Sequence, residues 1–243
     1  MWKIIKWPLL YFLAQFLLVF IISYIYNMNG NDMNLFNEFL GNNQIYIVGI
    51  ISLIFIPLLI SEYKKYKKEN NKSKIQISYL LLVGIIVSLI YNIFAYYMND
   101  FIFKTNLFNE NKHILITLLA TGVLGPIIEE LMFRGIIYNE FKNKFTNMQA
   151  ILLTTTFFAI IHFNIFQMVY AFAIGFILIF VYEKYKTIKA PIILHMMSNI
   201  TTALFLPILL KENIIINMII FVICLIILYV LKRFTSFFKY KND

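Results

Sequence analysis

Residues 121–135 read TGVLGPIIEELMFRG, and the stretch sets Glu129, Glu130 and Arg134 in the middle of an apolar run. The rest of the chain is of the same kind. Of its 243 residues 61% are hydrophobic and 14% charged, and the apolar residues come in long unbroken runs. Lipid-spanning backbone must satisfy its own polar groups, which leaves helices and closed barrels. Barrel strands alternate apolar and polar residues, and these runs do not. The expected fold is therefore an all-α polytopic membrane protein.

A span needs about 20 mainly apolar residues. Candidates lie at about 5–26, 44–61, 75–98, 113–140, 147–163, 166–182, 190–207 and 214–231, giving about eight transmembrane helices. MWKIIKW, EYKKYKKENNKSK, EFKNKFTN, EKYKTIKA and KRFTSFFKYKND are basic, whereas NMNGNDMNLFNEFLGNN contains no Lys or Arg. These basic segments fall on alternate sides, so both termini are expected in the cytoplasm. The same rule explains the net charge of +9 without nucleic acid. Segment 27–43 is expected to lie against the outer surface. The single cysteine, Cys224, cannot form an internal disulfide and is read as a small residue facing lipid or another helix. The whole of 1–243 is one integral membrane domain. Heavy use of Asn, Ile and Lys points to an AT-rich genome, hence a bacterial plasma membrane.

Ionisable groups at membrane depth cost roughly 2.5–3.5 kcal/mol each on insertion scales and so need a partner or a task. Glu130 and Arg134 are four apart and share a helix face, where they can pair. Glu129 is turned about 100° away and is free to face a cavity. Phe158 and His162 are four apart, as are His195 and Asn199, and each set lies on a different span. Pro126 weakens the helix just before the carboxylates. A buried Glu–Arg pair alone reads as a clamp, and a lone intramembrane histidine as a helix contact; the combination on three spans carries the weight. A carboxylate beside an imidazole can deprotonate a water. An imidazole and an amide can stabilise an oxyanion. Glu129, His162 and His195 form an alternative zinc ligand set, although no HExxH is present. His113, the third histidine, is expected at the outer end of the fourth span.

EELMFRG at 129–135, FAIIH at 158–162 and HMMSN at 195–199 resemble the EExxxR, FxxxH and HxxxN motifs of the CPBP intramembrane proteases. That family includes the type II CAAX prenyl endopeptidases and the Abi-type membrane proteins. The resemblance covers about 113–206, the core helices; 1–112 carry no comparable signature, and 207–243 hold the last helix and a basic tail. It implies an eight-helix fold with an active site inside the membrane. It also implies that Glu129 activates water with His162, that His195 and Asn199 stand on the oxyanion side, and that Glu130, Arg134 and Phe158 support them. A metal-independent glutamate mechanism is implied over a zinc-dependent one. The expected partners are a peptide precursor or a membrane-protein substrate, and the lipid bilayer. Two non-hydrolytic alternatives exist: a peptide-binding or bacteriocin-immunity protein, and a proton-coupled transporter, against which the lack of internal repeats argues. One conflict is visible. Along straight spans, His195 lies about five residues from the cytoplasmic end and His162 about fifteen, a depth difference of roughly 15 Å. Displaced boundaries near 141–150 and 183–191 are expected to remove it.

Overall fold

The computed structural model describes residues 2–66, 75–102, 114–209 and 213–239. Among them run eight helical rods: α1 (Trp2–Met28), α2 (Phe36–Tyr63), α3 (Ile77–Ile102), α4 (Ile114–Lys142), α5 (Asn147–Ile160), α6 (Ile165–Tyr185), α7 (Lys189–Leu209) and α8 (Ile214–Lys239). The only other element among the described residues is a single 3₁₀ turn, Met33–Leu35. His113 and residues 67–74, 103–112 and 210–212 lie outside the described residues.

The protein is a multi-pass membrane protein. Exposed residues such as Phe16, Phe20, Leu53, Ile215 and Tyr229 are large and apolar, whereas Ser88, Asn92, Glu130, Arg134, His195 and Ser198 are buried. Lipid removes any reason to hide apolar side chains and adds a strong one to hide polar ones. Six rods are long and apolar enough to cross a membrane. The expected span at 147–163 is not among the six, while that at 190–207 is the 21-residue helix α7. The first holds a helix of 14 residues, about 21 Å long against a hydrocarbon core of about 30 Å. α7 carries His195, Ser198, Asn199, Thr201 and Thr202 within a continuous helix. Segment 27–43 also differs from expectation. Asp32 caps the 3₁₀ turn by accepting from Asn34 N–H at 2.9 Å, and from Phe36 onward the segment is already α2.

Described residues of the first four basic segments meet at one end of the bundle. Lys3 at the start of α1 and Lys65 after α2 both pair with Glu62, at 3.2 and 2.6 Å. Tyr66 donates to Glu140 near the end of α4 at 2.5 Å. Burial, helped by Glu140, pushes its hydroxyl up to about 12, so it stays a proton donor at ordinary pH. Lys142 joins α4 to Glu183 of α6 at 2.9 Å. By the positive-inside rule this end faces the cytoplasm.

α4 is the central rod. It touches α1, α2, α5 and α7, while α3 and α7 form the most extensive helix pair. α8 packs on α3 and buries Cys224 there. Gly84 permits the α3–α7 approach, because a Cβ there would lie 2.7 Å from the Leu194 carbonyl oxygen and 3.0 Å from Met197 Cβ. Gly84→Val is therefore expected to destabilise the bundle by roughly 1–3 kcal/mol through overpacking. Gly41, with nothing within 4 Å of an added Cβ, is the control: Gly41→Ala should leave the melting temperature in detergent unchanged.

Candidate active site

The charged stretch of α4 is wound unevenly. α-Helical turns occupy Gly125–Glu130, flanked by π-helical turns at Leu118–Leu124 and Leu131–Ile137. Such wide turns are rare and cluster at functional sites. The first one has a local cause. Gly125 N–H bonds to Ala120 O rather than to Thr121 O, and Pro126, next in line, has no N–H to give. Thr121 O thus loses both of its helical donors. Asn199 Nδ2 replaces them from α7 at 2.9 Å. The proline-weakened helix and the HxxxN amide are therefore two halves of one contact.

Glu130 and Arg134 are wholly buried and pair at 2.9 Å between Oε1 and Nη1. Arg134 Nη2 also donates to Gly175 O of α6 at 3.1 Å, and its guanidinium lies 4.4 Å above the Phe158 ring centroid, a cation–π contact. The same Glu130 Oε1 accepts from His195 Nδ1 at 2.8 Å. A carboxylate paired with arginine only accepts, so Nδ1 of His195 carries the hydrogen. Its Nε2 then faces Glu129 Oε2 at 3.8 Å. That is beyond direct hydrogen-bond length and suits a bridging water. Glu129 Oε2 is buried without a protein partner, which a buried oxygen tolerates only with a donor from water or substrate.

His162 is fixed differently. Its Nδ1 donates to the Phe158 carbonyl at 2.8 Å, one turn back. A carbonyl only accepts, so Nδ1 again carries the hydrogen and Nε2 is left for the site. The Phe158 ring makes edge contacts with both imidazoles, at centroid distances of 5.0 Å to His162 and 6.0 Å to His195. One ring in contact with both excludes the 15 Å depth difference counted along straight spans. α5 starts at Asn147, capped by Thr146 and Gln149 in a reciprocal box, and it is too short to set depth by length.

The imidazole brought next to Glu129 is thus His195, on the face where Glu130 anchors it, whereas His162 is tied to Phe158. Gly175, Thr121 and the second π turn carry no signal in the motif spacing. A lone glycine in the apolar run AFAIGF is the one mark that Gly175 leaves. A Cβ there would sit 2.8 Å from Thr155 Cγ2 and 3.5 Å from Arg134 Nη2. As for a metal, the free Nε2 atoms suit a ligand role. Among the described residues, however, no three His, Cys, Asp or Glu side chains stand close enough to hold an ion.

Residues 111–201 match a family described as type II CAAX prenyl endopeptidase Rce1-like. This stretch is similar to that family. All of the motif residues lie inside the matched stretch. Curated relatives include the Putative membrane peptidase YdiL of Bacillus subtilis, 26% identical over 164 residues, which are 63% of this chain and 67% of that protein. The Membrane-embedded CAAX protease MroQ of Staphylococcus aureus is 25% identical over 215 residues, 82% of this chain and 87% of that protein. An Uncharacterized 24.3 kDa protein of Escherichia coli is 29% identical over 110 residues, 42% and 51% of the two chains. The match to MroQ covers more of the chain than residues 111–201. No solved structure matches. These likenesses support a membrane peptidase.

Removing one partner of a buried pair leaves an uncompensated charge, which costs roughly 3–5 kcal/mol. Arg134→Ala is thus expected to lower the melting temperature and the yield of folded protein sharply. The double variant Glu130→Gln/Arg134→Met, which leaves no orphan charge, should recover much of that loss in the same thermal-unfolding assay.

Proposed function

We propose that the protein is an intramembrane endopeptidase that cleaves a peptide bond with a water activated by Glu129. The observation that carries the reading is the 3.8 Å approach of His195 Nε2 to an unpartnered carboxylate oxygen of Glu129, with His195 fixed from behind by Glu130. A water seated between the two atoms gives its proton to Glu129 as its oxygen adds to the scissile carbonyl carbon. Glu129 then passes that proton to the leaving nitrogen, and the C–N bond breaks. His162 Nε2 is available at the same site for proton transfer. The second N–H of the Asn199 amide, left over once Thr121 O is satisfied, serves the developing oxyanion. No step requires a metal. The substrate class is a peptide precursor or a membrane-protein segment, in keeping with relatives named as a membrane peptidase and a membrane-embedded CAAX protease.

The test compares new protein N-termini in membranes containing wild-type protein or Glu129→Gln at matched expression. Termini present only with the wild type are expected. Identical profiles would overturn the reading in favour of a binding or immunity role. In reconstituted protein the Glu129-dependent cleavage should also persist in excess 1,10-phenanthroline; loss on chelation and recovery on adding zinc would contradict the metal-independent route.

A further inference from the structure

Outside the three motifs, the described residues include a connected set of buried and partly buried polar side chains, a ladder between α3, α6 and α7. Asn92 Nδ2 on α3 donates to Ser88 Oγ and to Thr202 Oγ1, both at 3.0 Å. Ser88 and Thr202 are themselves 2.8 Å apart. The Thr202 hydroxyl donates to Ser198 O at 3.1 Å. The ladder ends where Ser198 Oγ meets the Tyr170 hydroxyl of α6 at 2.5 Å. Polar groups at this depth need a partner or a task, and the ladder ends at Ser198, on the helix that carries His195 and Asn199. Ser198 adjoins Asn199 and sits one turn beyond His195 on the same helix.

Two features suit Tyr170 to chemistry. Its ring is stacked on Tyr91 at 4.0 Å between centroids, tilted by 27°, so its hydroxyl is held in place. Its proton can also be free. Ser198 is fully buried, and when its hydroxyl donates to Tyr170, the phenol keeps its own proton for another acceptor. Tyr170 is partly buried. The oxyanion side needs such a donor, because Asn199 spends one of its two amide hydrogens on Thr121 O.

We propose that Tyr170 is a further catalytic residue, donating its phenolic O–H to the oxyanion of the tetrahedral intermediate, with Ser198 and Tyr91 as its positioning residues. The proposal rests on the endopeptidase reading. Nothing is consumed: the phenol lends its hydrogen bond as the carbonyl oxygen gains charge and withdraws it on collapse.

The test uses full-length protein reconstituted in liposomes and a synthetic peptide spanning a cleavage site whose new N-terminus depends on Glu129. Tyr170→Phe keeps the ring on Tyr91 and removes only the hydroxyl. It is expected to lower kcat about 100-fold, the loss typical of one oxyanion donor, with KM within about two-fold and the melting temperature unchanged. Ser198→Ala leaves the phenol in place and should lose much less. A kcat for Tyr170→Phe within about three-fold of wild type overturns the proposal. Equal losses for the two variants with lowered melting temperatures also overturn it, showing a structural pair only. Turnover retained by Glu129→Gln, or no Glu129-dependent terminus at all, would instead sink the endopeptidase reading beneath it.

Discussion

A single buried oxygen, Oε1 of Glu130, organises the site. It accepts from Arg134 and from His195 at once, and each contact needs the other. Without Arg134 the carboxylate would be too costly to bury in its ionised form. Without the ionised form, the hydrogen on His195 Nδ1 would have no fixed acceptor and Nε2 would not be aimed at Glu129. The neighbouring parts follow from keeping Arg134 in place. Phe158 lies under its guanidinium, and Gly175 lends a carbonyl where any side chain would collide. The three motifs are thus one packed unit around an ion pair, and the chemistry assigned to Glu129 depends on a neighbour that never touches the reacting atoms.

The helix that carries these charges is not regular, and its irregularity is functional in a physical sense. Pro126 and the π turn before it strip the Thr121 carbonyl of both donors, and α7 must come close enough to repair the loss with Asn199. That repair ties α7 to α4 at the level of the carboxylates. Gly84 performs the complementary task on the other side of α7 by letting α3 approach. Helices in lipid gain little from apolar contact, so close packing at small residues and hydrogen bonds between helices carry the assembly.

Much of this was legible in the sequence. The unbroken apolar runs give the helical membrane fold, and the four-residue spacing of Glu130 and Arg134 gives their pairing, because both follow from local periodicity. The depth of the two histidines was not legible. Counting residues assumes straight rods that all cross the bilayer, and α5 is too short for that. The neighbour of Glu129 was also hidden: spacing says which face a residue occupies, not which of two imidazoles on other helices reaches it. Thr121 and Gly175 act through backbone carbonyls, which leave no side-chain signature. The Tyr170–Ser198 contact joins α6 to α7 across 28 positions, and hydroxyls dispersed over three helices form no motif.

The most direct test of the arrangement around Glu130 is ¹⁵N NMR of protein labelled only at histidine, of which the chain has 3. His195 can be assigned by its loss in His195→Gln. The account predicts that Nδ1 of His195 carries a hydrogen and that its signal shifts in Glu130→Gln. A neutral His195 with its hydrogen on Nε2 would contradict it, because Nδ1 would then face Glu130 with no hydrogen to share.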